Sequence, residues 1–251
     1  MDFGTSALVL AVLAFVLEYM DATLGMGYGT ILVPILLLLG MDPVQVVPAA
    51  ILSQLAGNLV ASAFHHKLRN ADFSFNSVEL HAALVLGASG IAAPLLASLA
   101  ALSLPSVVVK AYICAVAVGV GLLLLSGVKL GGGMSRKKAL ALGVVAGFNK
   151  GFTGGGYGPL VAGGQMLLGS EARSAVAVTA VAEALTCAVA VLTYFAAGAL
   201  DFSFAVPLTI GTVFSAPLAA ITVKKAGSLK LRKAMGVSAL VLGLACLLLS
   251  T

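Results

Sequence analysis

The chain has 251 residues, of which 61% are hydrophobic and 9% charged, with 14 Lys and Arg against 9 Asp and Glu. Soluble domains carry roughly a quarter charged residues, so this composition excludes a water-soluble globule, and the formal charge of +5 has to be tested as loop asymmetry about a membrane before nucleic acid is considered.

In chain order the apolar segments fall at 5–40, 44–64, 78–103 and 106–127, then at 138–169, 174–198, 204–223 and 231–250. Most match the ~20 residues that a helix needs to cross a bilayer. The first twenty residues lack a basic start, carry Asp2 and run on without a clear cleavage site, so they are expected to be mature structure and not a signal peptide. Segment 5–40 is too long for one straight crossing: at 1.5 Å per residue it would reach on the order of 50 Å, against a hydrocarbon core of about 30 Å. It is interrupted by Gly25, Gly27 and Gly29, and segment 138–169 is interrupted by Gly151, Gly154-Gly155-Gly156 and Gly158-Pro159. Glycine costs about 1 kcal/mol and proline about 3 kcal/mol inside a helix, so both segments should break there.

An offset of 129 residues relates the two halves. It carries Gly27-Tyr28-Gly29 onto Gly156-Tyr157-Gly158, Asp42 onto Glu171, Gln54 onto Glu183, and Asp72-Phe73-Ser74-Phe75 onto Asp201-Phe202-Ser203-Phe204. After a shortening, Lys110-Ala111 falls on Lys233-Ala234. The chain therefore reads as two repeats, 1–130 and 131–251, forming together one transmembrane domain.

If every segment crossed the membrane, Lys and Arg would divide evenly between the two sides. If the broken segments are re-entrant hairpins, then Lys67, Arg69, Lys129, Arg136, Lys137, Lys138, Arg173, Lys224, Lys225, Lys230, Arg232 and Lys233 share one face, with Lys110 on the other and Lys150 at a hairpin tip. A positive-inside bias selects the second arrangement. The predicted fold is an all-α integral membrane protein of two inverted repeats, each a re-entrant or broken helical hairpin plus three transmembrane helices. The basic loops are expected on the cytoplasmic side of the inner membrane and both termini outside. Discontinuous helices that meet at a repeat interface form the sites of many secondary transporters, and broken backbone survives at membrane depth only where protein or a watery cavity surrounds it.

The candidate anion site follows from the two tips: Asp21, Thr23, Gly25, Gly27 and Tyr28 from the first, and Asn149, Lys150, Thr153, Gly154, Gly155, Gly156 and Tyr157 from the second, with Glu18 beside them as a coupling or cavity residue. Ionisable groups at this depth are costly and mark function by default. Asp21 corresponds to Lys150 under the offset, and an Asp21–Lys150 ion pair that staples the tips stands beside a Lys150 that holds a substrate anion. Unpaired loop amides at a half-helix start offer a second anion holder, Thr23 and Thr153 offer hydroxyls, and Tyr28 and Tyr157 either wall the site or simply pack. Gln54 and Glu183, with Asn58 and Ser53 nearby, lie mid-membrane; Glu183 is a candidate for proton coupling, with structural hydrogen bonding as the alternative. His65 and His66 are expected at the interface and not on a metal, and the three cysteines are expected to pack, being too few for a disulfide framework.

The duplicated motif Gly25-Met-Gly-Tyr-Gly-Thr-Ile-Leu-Val-Pro34 and Gly154-Gly-Gly-Tyr-Gly-Pro-Leu-Val161, with the acidic-Pro or acidic-Ala step after each, resembles the sulfite exporter TauE/SafE family of small membrane permeases over essentially the whole chain. That resemblance implies movement of small sulfur-containing anions, sulfite or organosulfonates, across a cytoplasmic membrane. The expected partners are thus a small inorganic or organosulfur anion, membrane lipid and protons as a coupling ion, with no nucleic acid and no cofactor. A carrier is the leading reading and an anion channel its nearest rival. A non-transporting membrane subunit or an intramembrane enzyme is disfavoured, since no metal cluster and no nucleophile with a nearby base stands out.

Overall fold

The computed structural model describes residues 3–25, 27–89, 91–126, 135–223, 237 and 240–248. Among the described residues all regular structure is helical: α1 Phe3–Leu24, α2 Tyr28–Leu38, α3 Pro43–Lys67, α4 Val78–Ser89, α5 Ala92–Ser103, α6 Ser106–Ser126, α7 Arg136–Thr153, α8 Tyr157–Leu167, α9 Ala172–Ala196 and α10 Phe202–Val223. A further helical stretch covers 240–248. The glycine breaks fall where the sequence puts them: Gly25 and Gly27 separate α1 from α2, and Gly154 and Gly156 separate α7 from α8, all four at positive φ. These are conformations that a side chain rarely adopts, so each break needs glycine at those points. Pro43 opens α3 at a position where its missing N–H has no intrahelical partner to lose.

The 129-residue spacing persists in the boundaries: α8 and α9 begin and end at the numbers of α2 and α3 shifted by that amount. The left-handed backbone recurs with it, at Gly25 and Gly154, Gly27 and Gly156, Gly40 and Gly169, and Arg69 and Gly198.

Contacts fix the sense in which the helices run. α1 lies along α10 in the same direction: Gly211 sits against Ala11, Ala14 and Phe15, Ser215 Oγ donates to the Phe15 carbonyl at 2.7 Å, and Tyr19 Oη lies 2.8 Å from Thr222 Oγ1. α3 also runs with α10, since Thr212 Oγ1 donates to the Ser53 carbonyl and Asn70 Nδ2 to the Ala220 carbonyl, each at 2.8 Å. α1 and α3 therefore start at one end of the bundle, and α2 must return the chain to that end. In the second half α7 runs with α4 and α5, with Gly143 against Leu86 and Gly151 against Pro94. α9 shares that sense: Gly87 abuts Ala182 and Leu185, and farther along, Ser98 Oγ and Tyr194 Oη both donate to the Gly151 carbonyl. α7 and α9 thus start at the end where α3 finishes, and α8 returns the chain there. The two broken segments enter the bundle from opposite ends.

Among the described residues six helices are long and apolar enough to cross a membrane: Ala7–Leu24, Pro43–Lys67, Val78–Ser103, Ser106–Leu123, Ala172–Ala196 and Phe202–Val223. Five match the expected spans. Ala7–Leu24 belongs to the first hairpin, and the expected span 231–250 falls largely outside the described residues. Outward faces such as Leu8, Val9, Val12 and Val16 on α1, or Ile210, Phe214 and Leu218 on α10, are exposed and apolar, a surface suited to lipid and not to water. Segment 78–103 holds α4 and α5, and Val78–Ser103 is long and apolar enough for one crossing.

One expectation is corrected. Cys114 and Cys246 do not merely pack but are joined as a disulfide, Cα atoms 5.6 Å apart, that ties α6 to the stretch 240–248; Cys187 is free and buried. The same two helices cross at Gly121, which sits on Leu240, and at Gly243, which sits on Val118, so they run antiparallel. His65, in the last turn of α3, is buried within the protein, while His66 is exposed and lies 3.7 Å from Asp72. Of the basic residues used for topology, Lys129, Lys224, Lys225, Lys230, Arg232 and Lys233 lie outside the described residues. Lys67, Arg69 and Arg173 share one face, and Lys110 stands near the opposite end, 3.8 Å from Asp42.

Candidate functional site

The two glycine tips touch. A Cβ on Gly29 would run into the Gly154 carbonyl and come within 2.8 Å of Gly155 Cα, and one on Gly155 would meet Gly29 C and Thr30 N at 2.6 Å. No side chain fits between backbones at that distance, so glycine here serves close approach as well as turning. The contact is pinned by a cross-hairpin bond from Gly156 N to Thr30 Oγ1 at 3.0 Å.

Against these tips, at the middle of α3 and α9, lies a charged network. Lys150 is wholly buried, and its Nζ stands 2.8 Å from Glu183 Oε1, donates to the Gly154 carbonyl at 3.2 Å and donates to Gln54 Oε1. Gln54 passes the link onward, its Nε2 donating to Asp21 Oδ2 at 3.1 Å, and Asp21 Oδ1 accepts from Tyr28 N at 3.0 Å. Asp21 is therefore not the ion-pair partner expected for Lys150. Glu183 takes that place, and Asp21 is reached only through Gln54. The three carriers of charge, one from each hairpin and one from α9, are thus bound into one unit. Burying an ion is tolerable when it is paired and its remaining donors are used, which Lys150 satisfies with three acceptors.

The loop amides are also engaged in this conformation, contrary to the expectation that they point unpaired into a cavity. Gly155 N donates to Thr153 Oγ1 at 3.0 Å and Gly156 N to Thr30 Oγ1. Thr153 thus caps its own loop, its hydroxyl 2.8 Å from the Asn149 carbonyl. Asn149 turns away from Lys150: its Oδ1 accepts from Tyr112 Oη at 2.6 Å beside a lateral groove walled by Leu96, Val145 and Phe148. Tyr28 is fully buried with its hydroxyl 2.6 Å from Ser53 Oγ; Tyr157 is equally buried, but its hydroxyl has no partner. Gly25 packs on Ala162 and Val176, holding the first tip against α8 and α9. Thr23 Oγ1, Asn58 Nδ2 and both carboxyl oxygens of Glu18 are buried without a hydrogen-bond partner.

The structure accordingly brings Asp21, Tyr28, Gln54, Lys150, Gly154 and Glu183 together, leaves Asn149 to one side, and leaves Glu18 and Asn58 unbonded nearby. The residues missed by sequence reading are Thr30, Ser98 and Tyr194. Thr30 had a signal, being the single hydroxyl at the head of the run Ile31-Leu32-Val33; Ser98 and Tyr194, which both bind the Gly151 carbonyl, are ordinary members of apolar helices and had none. Among the described residues no group of His, Cys, Asp and Glu has the arrangement of a metal site.

A helical membrane bundle in which two broken hairpins meet at a buried lysine is the construction of a membrane transport protein. The family model described as Sulfite exporter TauE/SafE matches residues 10–246, nearly the whole chain, and the chain belongs to that family. No curated protein matches the chain.

Proposed function

We propose that the chain is a secondary transporter that exports a small sulfur-containing anion, sulfite or an organosulfonate, by alternating access around Lys150. The observation that carries this reading is a lysine sealed at the contact of two glycine tips and neutralised by a carboxylate, Glu183, that an incoming anion can replace. Exchange of one carboxylate-like partner for another keeps the ammonium paired throughout, and the charge left on Glu183 is what a proton or water must then meet. Displacement of Glu183 also frees Gln54 to loosen its hold on Asp21 and, through Tyr28 N, on the first hairpin. Occupancy at Lys150 is thereby coupled to the tip contact.

Residues 1–130 and 131–251 are read as inverted repeats. The repeated helix boundaries, the entry of the hairpins from opposite ends and the antiparallel crossing of α6 with 240–248 support that reading. Two repeats of opposite sense give a carrier two nearly equivalent states, one open to each face. The enclosure of Lys150 and Gln54, with Glu183 only 3% exposed, corresponds to an occluded state between them. The face bearing Lys67, Arg69 and Arg173 is taken as cytoplasmic and the termini as external.

One observation favours a second reading: Lys150 is already fully satisfied by Glu183, Gln54 and the Gly154 carbonyl, as a structural staple would be. Uptake of labelled sulfite into proteoliposomes, with sulfate, thiosulfate, sulfoacetate and phosphate as competitors, separates the two. Saturable uptake by wild type that is lost in Lys150→Ala supports the anion site. Equal transport by both makes Lys150 a staple, and absence of anion flux in wild type rejects the transporter assignment.

A further inference from the structure

Glu18 is the most anomalous residue in the bundle. It is 0% exposed, both carboxyl oxygens lack a partner, and its side chain presses on Gly57, where a Cβ would lie 3.0 Å from Glu18 Cδ. The charged and titratable groups around it are Asp21 on its own helix, Glu183 and Cys187 on α9, Lys150 on α7 and Tyr28 on α2. α10 presents only hydroxyls, Thr212 and Ser215, and α3 contributes His65 farther along. Lys150, the only cation among them, is bonded to Glu183. A carboxylate left in apolar surroundings with no bond and no counter-ion is prohibitively costly, and the neutral acid is not.

A polar stripe leads away from it along α3. Gln54, Asn58, Ser62 and His65 follow one another at spacings of four, four and three, and so share one face of the helix. Each of the last three has a buried polar atom without a partner: Asn58 Nδ2, Ser62 Oγ and His65 Nε2. Unsatisfied polar atoms are rare in folded proteins, and a row of them is where water is accommodated. The stripe starts at the charged centre through Gln54. It ends at Asn70, whose Nδ2 is 3.0 Å from His65 Nδ1 and donates to the Ala220 carbonyl. That second bond fixes the amide, makes Nδ1 an acceptor and leaves the imidazole hydrogen on Nε2, directed into the interior. Asn70 in turn lines an open vestibule of about 680 Å³ with Lys67, Arg69, Asp72, Glu79 and Arg173.

We propose that Glu18 holds the coupling proton of transport and that the α3 face Asn58–Ser62–His65 is its path to the vestibule. The proposal rests on the transporter reading and deepens it. When the anion takes Lys150, Glu183 loses its counter-ion. A proton passed from Glu18 leaves a carboxylic acid at Glu183 and a carboxylate at Glu18. A proton from the vestibule, carried by water along the stripe, then restores the acid at Glu18; when the anion leaves and Glu183 re-forms its pair with Lys150, the proton on Glu183 is released with the anion, so one proton crosses for each anion carried. This moves the coupling role from Glu183, the candidate of the sequence, to Glu18 as the store and Glu183 as the receiver.

The test uses the full chain in proteoliposomes with labelled sulfite and sulfoacetate, measuring uptake driven by a proton gradient and, separately, exchange of internal for external anion without a gradient. Glu18→Gln should lose gradient-driven uptake and slow exchange as well, because Glu183 then has no proton donor when the anion takes Lys150. His65→Asn, altered away from the charged centre, should slow gradient-driven uptake while leaving exchange intact, which keeps the proposal open to test if Glu18→Gln fails to fold. Gradient-driven uptake at the wild-type level in either variant overturns the proposal. Wild-type uptake that ignores the gradient overturns it while leaving the transporter reading in place; absence of both fluxes in wild type removes the transporter reading and the proposal with it.

Discussion

Lys150 and Glu183 show how far symmetry in a sequence informs contact. The offset places Lys150 opposite Asp21 and Glu183 opposite Gln54, and the structure draws all four into one network, so the membership of that network was legible. The pairing within it was not. Repeat symmetry relates positions, whereas the partner of an ammonium is decided by which carboxylate its long stem reaches after α7 has packed on α9. The pair at 2.8 Å is fully buried, and removal of one member of such a pair typically costs about 3–5 kcal/mol, while replacement of both by apolar groups of similar size is often neutral. Glu183→Gln is therefore expected to lower the thermal midpoint of the detergent-solubilised protein, and Lys150→Met combined with Glu183→Leu to recover most of the loss. Recovery in stability without recovery of transport is the signature of a charge kept for function. A double variant no more stable than Glu183→Gln would mean that the network contributes through Gln54 and the Gly154 carbonyl instead.

The glycine breaks were readable at the level of elements because they rest on backbone preference, which acts locally. Their purpose was only half readable: positive φ at Gly25, Gly27, Gly154 and Gly156 follows from the turn, but the need for glycine at Gly29 and Gly155 arises from another hairpin, 126 residues away, which no local pattern records. The same limit applies to the amides of Gly155 and Gly156, whose hydroxyl partners come from Thr153 and Thr30. Gly29→Ala should force the tips apart, since its Cβ meets backbone that cannot rotate away; loss of transport with a lowered melting temperature is expected. Gly163→Ala, in α8 where a Cβ meets nothing within 4 Å, should leave transport unchanged and gain up to about 1 kcal/mol of helix stability. Equal behaviour of the two variants in transport and melting assays would show that the close approach of the tips is dispensable.

For the whole molecule, the basic-loop argument and the helix contacts lead independently to hairpins that enter from opposite ends. The first uses Lys and Arg counts, many of them outside the described residues; the second uses contacts such as Gly211 on α1 and Gly143 on α4. What the contacts do not supply is the sense of insertion, because they are the same whichever face is cytoplasmic. Loop 68–77 and the turn between α5 and α6 decide it, being at opposite ends of the 78–103 span. Phe75 is 89% exposed and Leu104 42% exposed, and the three native cysteines are buried, so single cysteines at these two positions can be labelled without background from the core. In intact cells a membrane-impermeant maleimide should label Leu104→Cys, and should reach Phe75→Cys only after permeabilisation, if the orientation proposed from Lys67 and Arg69 holds. The reverse pattern would turn the carrier over and put the vestibule of the proton path outside. Labelling of both in intact cells would break the 78–103 crossing itself and, with it, the inference that α7 enters from the end opposite to α1.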